Sequence, residues 1–372
     1  IKALQDGVAA TYPPIDGVPA IKKEASRFIK NFLDLDVDAA NCLPTVGSMQ
    51  GAFASFMICG HTNKEKDTVL FIDPGFPVHK FQTKILGLKM ESFDIYEYRG
   101  EKLREKLESI FSTGKIHSVL YSNPNNPTWV CLTDEELKII GELANKYDVI
   151  ILEDLAYFGM DFRKDYSHPG VAPFQPTVGK YTDNYILMLS TSKAFSYAGE
   201  RCAVLGISNK LAERRYPDLK EFCGQEIFAR GIIFGALHPL SSGTSHSAQY
   251  AVAGVMKAVN DGTYNYRDDV LEYGKKAKLM KDAFTSNGFK LTYDEDLGEP
   301  IADGFYFTYY YPGFTGAELL EKMLYYGISA ISLDTCGSTR QGIRACTSLI
   351  QRDEIPVLAE RLRRFAEDHP IK

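Results

Sequence analysis

"YILMLSTSKAFSYAGERCAVLGIS", residues 185–208, sets two apolar runs, 185–190 and 203–208, on either side of a loop of small and hydroxylated residues. Both runs are apolar on consecutive positions, as strands covered on both faces must be. Between them lie one lysine, Lys193, and, eight positions later, Arg201. A lysine taken alone is usually a solvated surface cation. In an open α/β sheet, however, ligands sit outside the carboxyl ends of the strands, so the residues that follow each buried run are where chemistry is to be sought.

Working outward, "TVLFID" (68–73), "HSVLYS" (117–122) and "VIILED" (149–154) repeat the buried-strand pattern. Helical spacing appears between and before them. "GVPAIKKEASRFIKNFL" (17–33) puts Ile21, Ala25, Phe28, Ile29 and Phe32 on one face, and "TDEELKIIGELANKY" (133–147) opens with Thr133 and Glu136 in capping-box spacing. Strand, helix, strand repetition predicts an α/β fold with a largely parallel sheet between helices. Near residue 265 the pattern changes to a long charged helix. Beyond it "GFYFTYYY" (304–311) and "GIRACTSL" (342–349) read as strands, and "GAELLEKMLYYG" (316–327) and "IPVLAERLRRFAED" (355–368) as helices. Two units are expected: a large domain over 1–274 and a smaller C-terminal α+β domain over 275–372.

Length agrees, since 372 residues exceed what one hydrophobic core organises. Apolar residues at 45% and charged residues at 24% describe an ordinary globular chain rather than a disordered or fibrous one. The apolar runs fall far short of the ~18 residues that span a bilayer. A net charge of −6 disfavours nucleic acid or an anionic membrane as partner. Seven scattered cysteines, odd in number and without CxxC spacing, point to reduced thiols in a cytoplasmic setting. The chain opens at Ile1 rather than Met, so residues are expected to have been lost before it.

Five places carry unusual residues. In "TVGSMQGAF" (45–53), Gly47, Ser48 and Met49 lead into a helical stretch, whose exposed N–H groups suit a phosphate; an ordinary glycine turn is the alternative. In "SNPNNPT" (122–128), Asn126 offers an amide from a loop stiffened by prolines. In "LEDLAYFGM" (152–160), Asp154 ends a buried strand and must meet a cation or a protonated ring nitrogen, with Tyr157 one turn on. A metal is the rival, but no histidine is near, and none is expected. Lys193 with Ser190, Ser192 and Arg201 forms an anion cradle around one amine. Read instead as S-x-x-K of a serine acylase, the stretch lacks the downstream S-D-N and K-T-G elements. Finally, Arg344 stands within an apolar strand, where its planar fork suits a carboxylate; an interdomain ion pair is the alternative.

In this order the five places, with "TYPPIDGVPA" and "DPGFPVHKF", resemble the pyridoxal-phosphate enzymes of fold type I, specifically the class I/II aminotransferases. The resemblance implies a mostly parallel seven-stranded sheet and a homodimer with shared active sites. It implies that Lys193 forms a Schiff base with pyridoxal 5′-phosphate, that Asp154 pairs with the pyridine nitrogen, and that Tyr157 and Asn126 bond the ring oxygen. Phe76 matches the aromatic stacked on the ring. Ser48, Met49, Ser190, Ser192 and Arg201, beside Gly47, match the phosphate site, and Tyr12 the tyrosine that reaches the neighbouring subunit's phosphate. Arg344 matches the arginine that clamps the substrate α-carboxylate, with Asn126 beside it. Transamination between an L-amino acid and a 2-oxo acid follows.

Three departures stand out. The usual NPTG is "NPTW", placing the single tryptophan, Trp129, where glycine is common. The segment that closes over the substrate precedes Tyr12 and is expected to be missing or short. Region 234–249 holds His238 and no arginine, against a preference for dicarboxylate donors. Other reactions of the same cofactor, β-lysis or decarboxylation, use the same residues, and an effector domain of a transcription regulator is a more distant reading.

Overall fold

Strand order explains why the loops singled out above meet. The computed structural model describes residues 1–371. Its main sheet comprises β1 (Cys42–Val46), β2 (Thr68–Asp73), β3 (Lys89–Asp94), β4 (Ile116–Ser122), β5 (Ile150–Asp154), β6 (Tyr185–Ser190) and β7 (Cys202–Ile207), in the order β1-β7-β6-β5-β4-β2-β3. Strands β3, β2, β4, β5 and β6 pair in parallel, and β7 is antiparallel to both β6 and β1. One edge of the sheet therefore collects the residues after β1, β2, β4, β5 and β6, together with those just before β7.

Both faces are buried, as the consecutive apolar runs require. Val69, Phe71, Leu152, Ile186 and Met188 pack with Phe56 of helix Gly47–Cys59 on one side. Leu70, Ile72, Ile151, Leu187 and Leu189 belong to the other core, with Phe28, Ile29 and Phe32 of helix Pro19–Leu33. Thr133 and Glu136 cap helix Asp134–Tyr147 reciprocally, each side chain accepting the other's backbone N–H at 3.2 and 3.0 Å.

The two edge strands, β1 and β3, are absent from the buried runs of the sequence. Strand β1 contains Pro44, tolerable because an edge strand pairs on one side only. Strand β3 exposes its first four residues.

The C-terminal part adds β8 (Lys290–Leu291), a hairpin of β9 (Glu295–Asp296) and β10 (Glu299–Pro300), then β11 (Tyr306–Tyr310), β12 (Ile331–Ser332) and β13 (Ile343–Cys346). Four of these form an antiparallel sheet, β12-β13-β11-β8, against helices Gly316–Leu324 and Ile355–Asp368. The expected division at 274/275 falls inside helix Tyr266–Thr285. Tyr266 and Val270 sit in the core of the large sheet, Met280 and Phe284 in that of the small one. Phe305 and Tyr306 also join the large-sheet core, so β11 reaches across the seam.

Candidate active site

At the β1 end, helix Gly47–Cys59 starts directly from the strand with no side-chain cap, leaving its first N–H groups, those of Ser48 and Met49 among them, without helical partners. Gly47 has φ +65° and donates its N–H to Arg201 O at 2.9 Å. A Cβ on Gly47 would lie 2.4 Å from Arg201 Nη2, so only glycine lets the guanidinium lie against the helix start. Arg201 Nη1 donates to Ala198 O at 2.8 Å. Ladder partners place the other members beside it: Val46 opposite Cys202, and Ser190 opposite Ala203. Ser190 Oγ accepts from the Ser192 backbone N–H at 3.3 Å. An uncapped helix start, an arginine and two serines thus share one corner, which suits a multiply charged anion.

Next along the edge, Lys193 is half-buried, its Nζ 4.8 Å from the centre of the Phe305 ring. Among the described residues it pairs with no carboxylate. Burial lowers its pKa; Cys346 opposes this, and the fields of Arg344 and Arg201 act with it. An amine so placed is more readily unprotonated than a surface lysine.

Asp154 closes β5 and is buried. Its Oδ1 accepts from Ala156 N at 3.0 Å, and burial pushes its pKa up to about 7. The sequence calls for a cation or protonated nitrogen here; among the described residues no side-chain cation pairs with it. Phe76, at the start of helix Pro77–Ile85, lines a small cavity together with Asp154 and Ser122.

Tyr157, also buried, donates to Tyr306 Oη at 3.1 Å, and burial raises its pKa so that the phenol keeps its proton. Arg344 on β13 donates from Nη1 to Asn126 Oδ1 at 2.8 Å, with its guanidinium carbon 4.2 Å from the Tyr306 ring centre. Among the described residues the buried Arg344 Nε has no hydrogen-bond partner, and Arg344 forms no ion pair with a carboxylate.

Tyr12 stands apart. It is 90% exposed, on a segment tied down by Thr11 O accepting from His246 Nδ1 at 3.1 Å, and among the described residues it hydrogen-bonds no other site residue. Three aromatic residues belong to the site that sequence reading did not place there: Phe305, Tyr306 and Trp129. The first two lie in a run read only as a strand; Arg344, the anion-seeking residue of the adjacent strand, is the one signal that points towards them. A cavity of about 480 Å³ lined by Asn123, Thr133, Arg163 and Asp296 lies behind the Asn126 loop and contains none of the expected site residues.

Comparison with known proteins follows the same lines. The sequence model of the family Aminotransferase class I and II matches residues 1–362. A probable aspartate aminotransferase of Methanocaldococcus jannaschii is 29% identical over 210 residues, 56% of this chain and 52% of the relative. A glutamate-pyruvate aminotransferase of Escherichia coli is 27% identical over 269 residues, 71% of this chain and 59% of the relative. The chain thus spans about half the length of the curated relatives it matches. Among solved structures, an aminotransferase from Mycobacterium tuberculosis superposes with a TM-score of 0.78 at 17% identity, over 99% of this chain and 86% of that one. A mutant aspartate aminotransferase of Thermus thermophilus gives 0.76 at 16%, over 98% and 90%. These structures speak for the fold. With a family match over nearly its whole length and that fold, the chain belongs to the class I and II aminotransferases.

Proposed function

We propose that the chain is a pyridoxal-phosphate-dependent aminotransferase that exchanges the amino group of an L-amino acid with a 2-oxo acid. The observation that carries this reading is the convergence of a half-buried amine without a counter-ion, Lys193, and a buried carboxylate without a cation, Asp154, on one sheet edge. Each lacks the partner its chemistry requires, and one heterocyclic aldehyde phosphate supplies both.

The residues fit that group. Lys193 would hold its carbonyl carbon, and Asp154 would accept a hydrogen bond from its ring nitrogen. Tyr157 and Asn126 would face its ring oxygen, and Phe76 would cover one face. Ser48, the Met49 N–H, Ser190, Ser192 and Arg201 would take its phosphate, with Gly47 leaving room. When bound, pyridoxal phosphate supplies a cationic ring that accepts the electron pair left by a broken bond at the substrate Cα.

Substrate orientation falls to Arg344, whose fork takes the α-carboxylate and leaves the Cα–H bond exposed to the lysine. Burial lowers the pKa of Lys193 Nζ and so favours the free base that removes the Cα proton. Asp154, ionised by a cationic partner, holds the proton of the ring nitrogen in place. Tyr157 keeps its own proton and acts as a donor.

We also assign a homodimer, supported by the exposure of Tyr12, a residue the family resemblance places against the neighbouring subunit's phosphate. Seven free thiols fit a reducing, cytoplasmic setting. No helix among the described residues is long and apolar enough to cross a membrane. The division at 274/275 is read as two units whose seam carries Asn126 and Arg344.

Incubation with pyridoxal phosphate, a panel of L-amino acids, and 2-oxoglutarate or pyruvate tests the reading. A new amino acid in stoichiometric exchange is expected. Ammonia or carbon dioxide release without one would contradict it.

A further inference from the structure

Trp129 occupies a position that its local conformation disfavours. Its φ is +66°, in the left-handed region where a bulky residue is an outlier, and among the described residues its buried indole N–H has no hydrogen-bond partner. It is nevertheless fully enclosed, at 0% exposure. Both penalties persist only where the surroundings over-determine the conformation.

Those surroundings belong to the site. The indole lies edge-on to Tyr157 at 5.4 Å and to Tyr306 at 6.3 Å, and the two tyrosines lie edge-on to each other at 5.4 Å. Tyr306 in turn lies beneath Arg344, which is bonded to Asn126, three residues before Trp129. Space for the indole comes from Gly304, where a Cβ would stand 2.0 Å from Trp129 Cε2. The tryptophan therefore fills the seam between the Asn126 loop of the large sheet and the strand entering the small one.

We infer that Trp129 is a positioning residue: through Tyr306 and Tyr157 it holds the Arg344–Asn126 pair in the geometry that receives the substrate carboxylate. This rests on the aminotransferase reading and adds to it a residue that touches no reacting atom. The aromatic contacts leave Tyr306 one place to lie, and the guanidinium stacked on it inherits that constraint.

The test is carboxylate binding rather than turnover. The cofactor-loaded protein is titrated with a non-reacting analogue, such as an α-methyl amino acid, and the dissociation constant is read from the visible spectrum. KM and kcat are measured alongside. Trp129→Gly should weaken analogue binding and raise KM by about ten-fold, with kcat changed by less than about three-fold, and Trp129→Phe should restore most of the loss. Gly304→Ala, whose added methyl displaces the indole without removing it, should weaken binding in the same way and covers the case in which Trp129→Gly does not fold. In an Arg344→Ala background the Trp129 and Gly304 variants should add nothing further. Unchanged analogue affinity in Gly304→Ala, or multiplicative losses in the Arg344→Ala background, would overturn the role of Trp129 while leaving the aminotransferase reading intact. A parent protein that shows no cofactor band would overturn both.

Discussion

Arg344 on β13 of the small sheet and Asn126 in the loop after β4 of the large one, 218 positions apart in sequence, are joined by a 2.8 Å hydrogen bond from Nη1 to Oδ1. The bond uses one of five guanidinium donors and neutralises no charge, so the arginine arrives at the seam oriented but unpaired. That is the state expected of a carboxylate receptor before its ligand. Replacing Arg344 with lysine keeps the charge and removes the fork. The expected result is a rise in amino-donor KM of roughly 10- to 100-fold, from losing about 1.5–3 kcal/mol of charge-assisted bonding. Steady-state kinetics on one donor across a range of concentrations would measure it.

Asp154 makes the protein without cofactor sensitive to pH in a definite direction. In the unfolded chain the carboxyl ionises near 3.8, whereas in the fold it keeps its proton up to about 7. Between these values the folded form binds more protons, so stability is lost as pH rises through the window. Asp154→Asn should leave stability unchanged at pH 3 and raise it by on the order of 1–4 kcal/mol at pH 8. Glu153, also pushed to about 7 by burial, has the same sign, so the difference between variant and parent is the quantity to follow. Denaturant titrations at several pH values provide it, and the same variant should bind pyridoxal phosphate much more weakly.

Gly47 is expected to be intolerant of even one added carbon. Alanine would have to adopt φ +65° and would press on Arg201 Nη2. A stability loss of about 1–2 kcal/mol is expected from the backbone alone. Displacement of the guanidinium should add a drop of roughly ten-fold or more in cofactor affinity, read in phosphate-free buffer, where no competing anion masks the parent's tighter binding. Calorimetry and a cofactor titration separate the two effects.

Away from the chemistry, a buried ion network ties the β9–β10 hairpin, through Asp296, to helix Asp134–Tyr147 and the loops that hold Arg99 and Arg163. Arg99 donates to Glu136 at 2.8 Å and to Asp296 at 2.7 Å, and Arg163 reaches Asp296 at 2.8 Å. Arg99→Ala would leave Glu136 buried with its charge uncompensated, at a cost of about 3–5 kcal/mol. Equilibrium unfolding should show that loss at neutral pH. Site residues are untouched, so cofactor stoichiometry in the folded fraction should hold.

What the sequence revealed follows from which side chains carry a local signature. Strands β2, β4, β5, β6 and β7 are readable because both of their faces are apolar, and the residues at their ends, Asn126, Asp154 and Lys193, are readable because they interrupt that pattern. Strand β3 shows four exposed residues and β1 a proline, so neither has a buried-strand signature. Trp129 and Gly304, or Tyr157 and Tyr306, meet only once the two sheets are packed. Nothing local in "GFYFTYYY" distinguishes Phe305 and Tyr306, which face the site, from Phe307 and Tyr309, which fill the small core.

The proposed role of Lys193 as the residue that holds the cofactor is tested by chemical trapping. The protein is incubated with pyridoxal phosphate, treated with borohydride to fix the adduct, and mapped by peptide mass spectrometry. A phosphopyridoxyl mass is expected on Lys193 in the parent protein, with the visible cofactor band lost in Lys193→Ala. A band that survives in Lys193→Ala, or a label carried by another lysine, would contradict it.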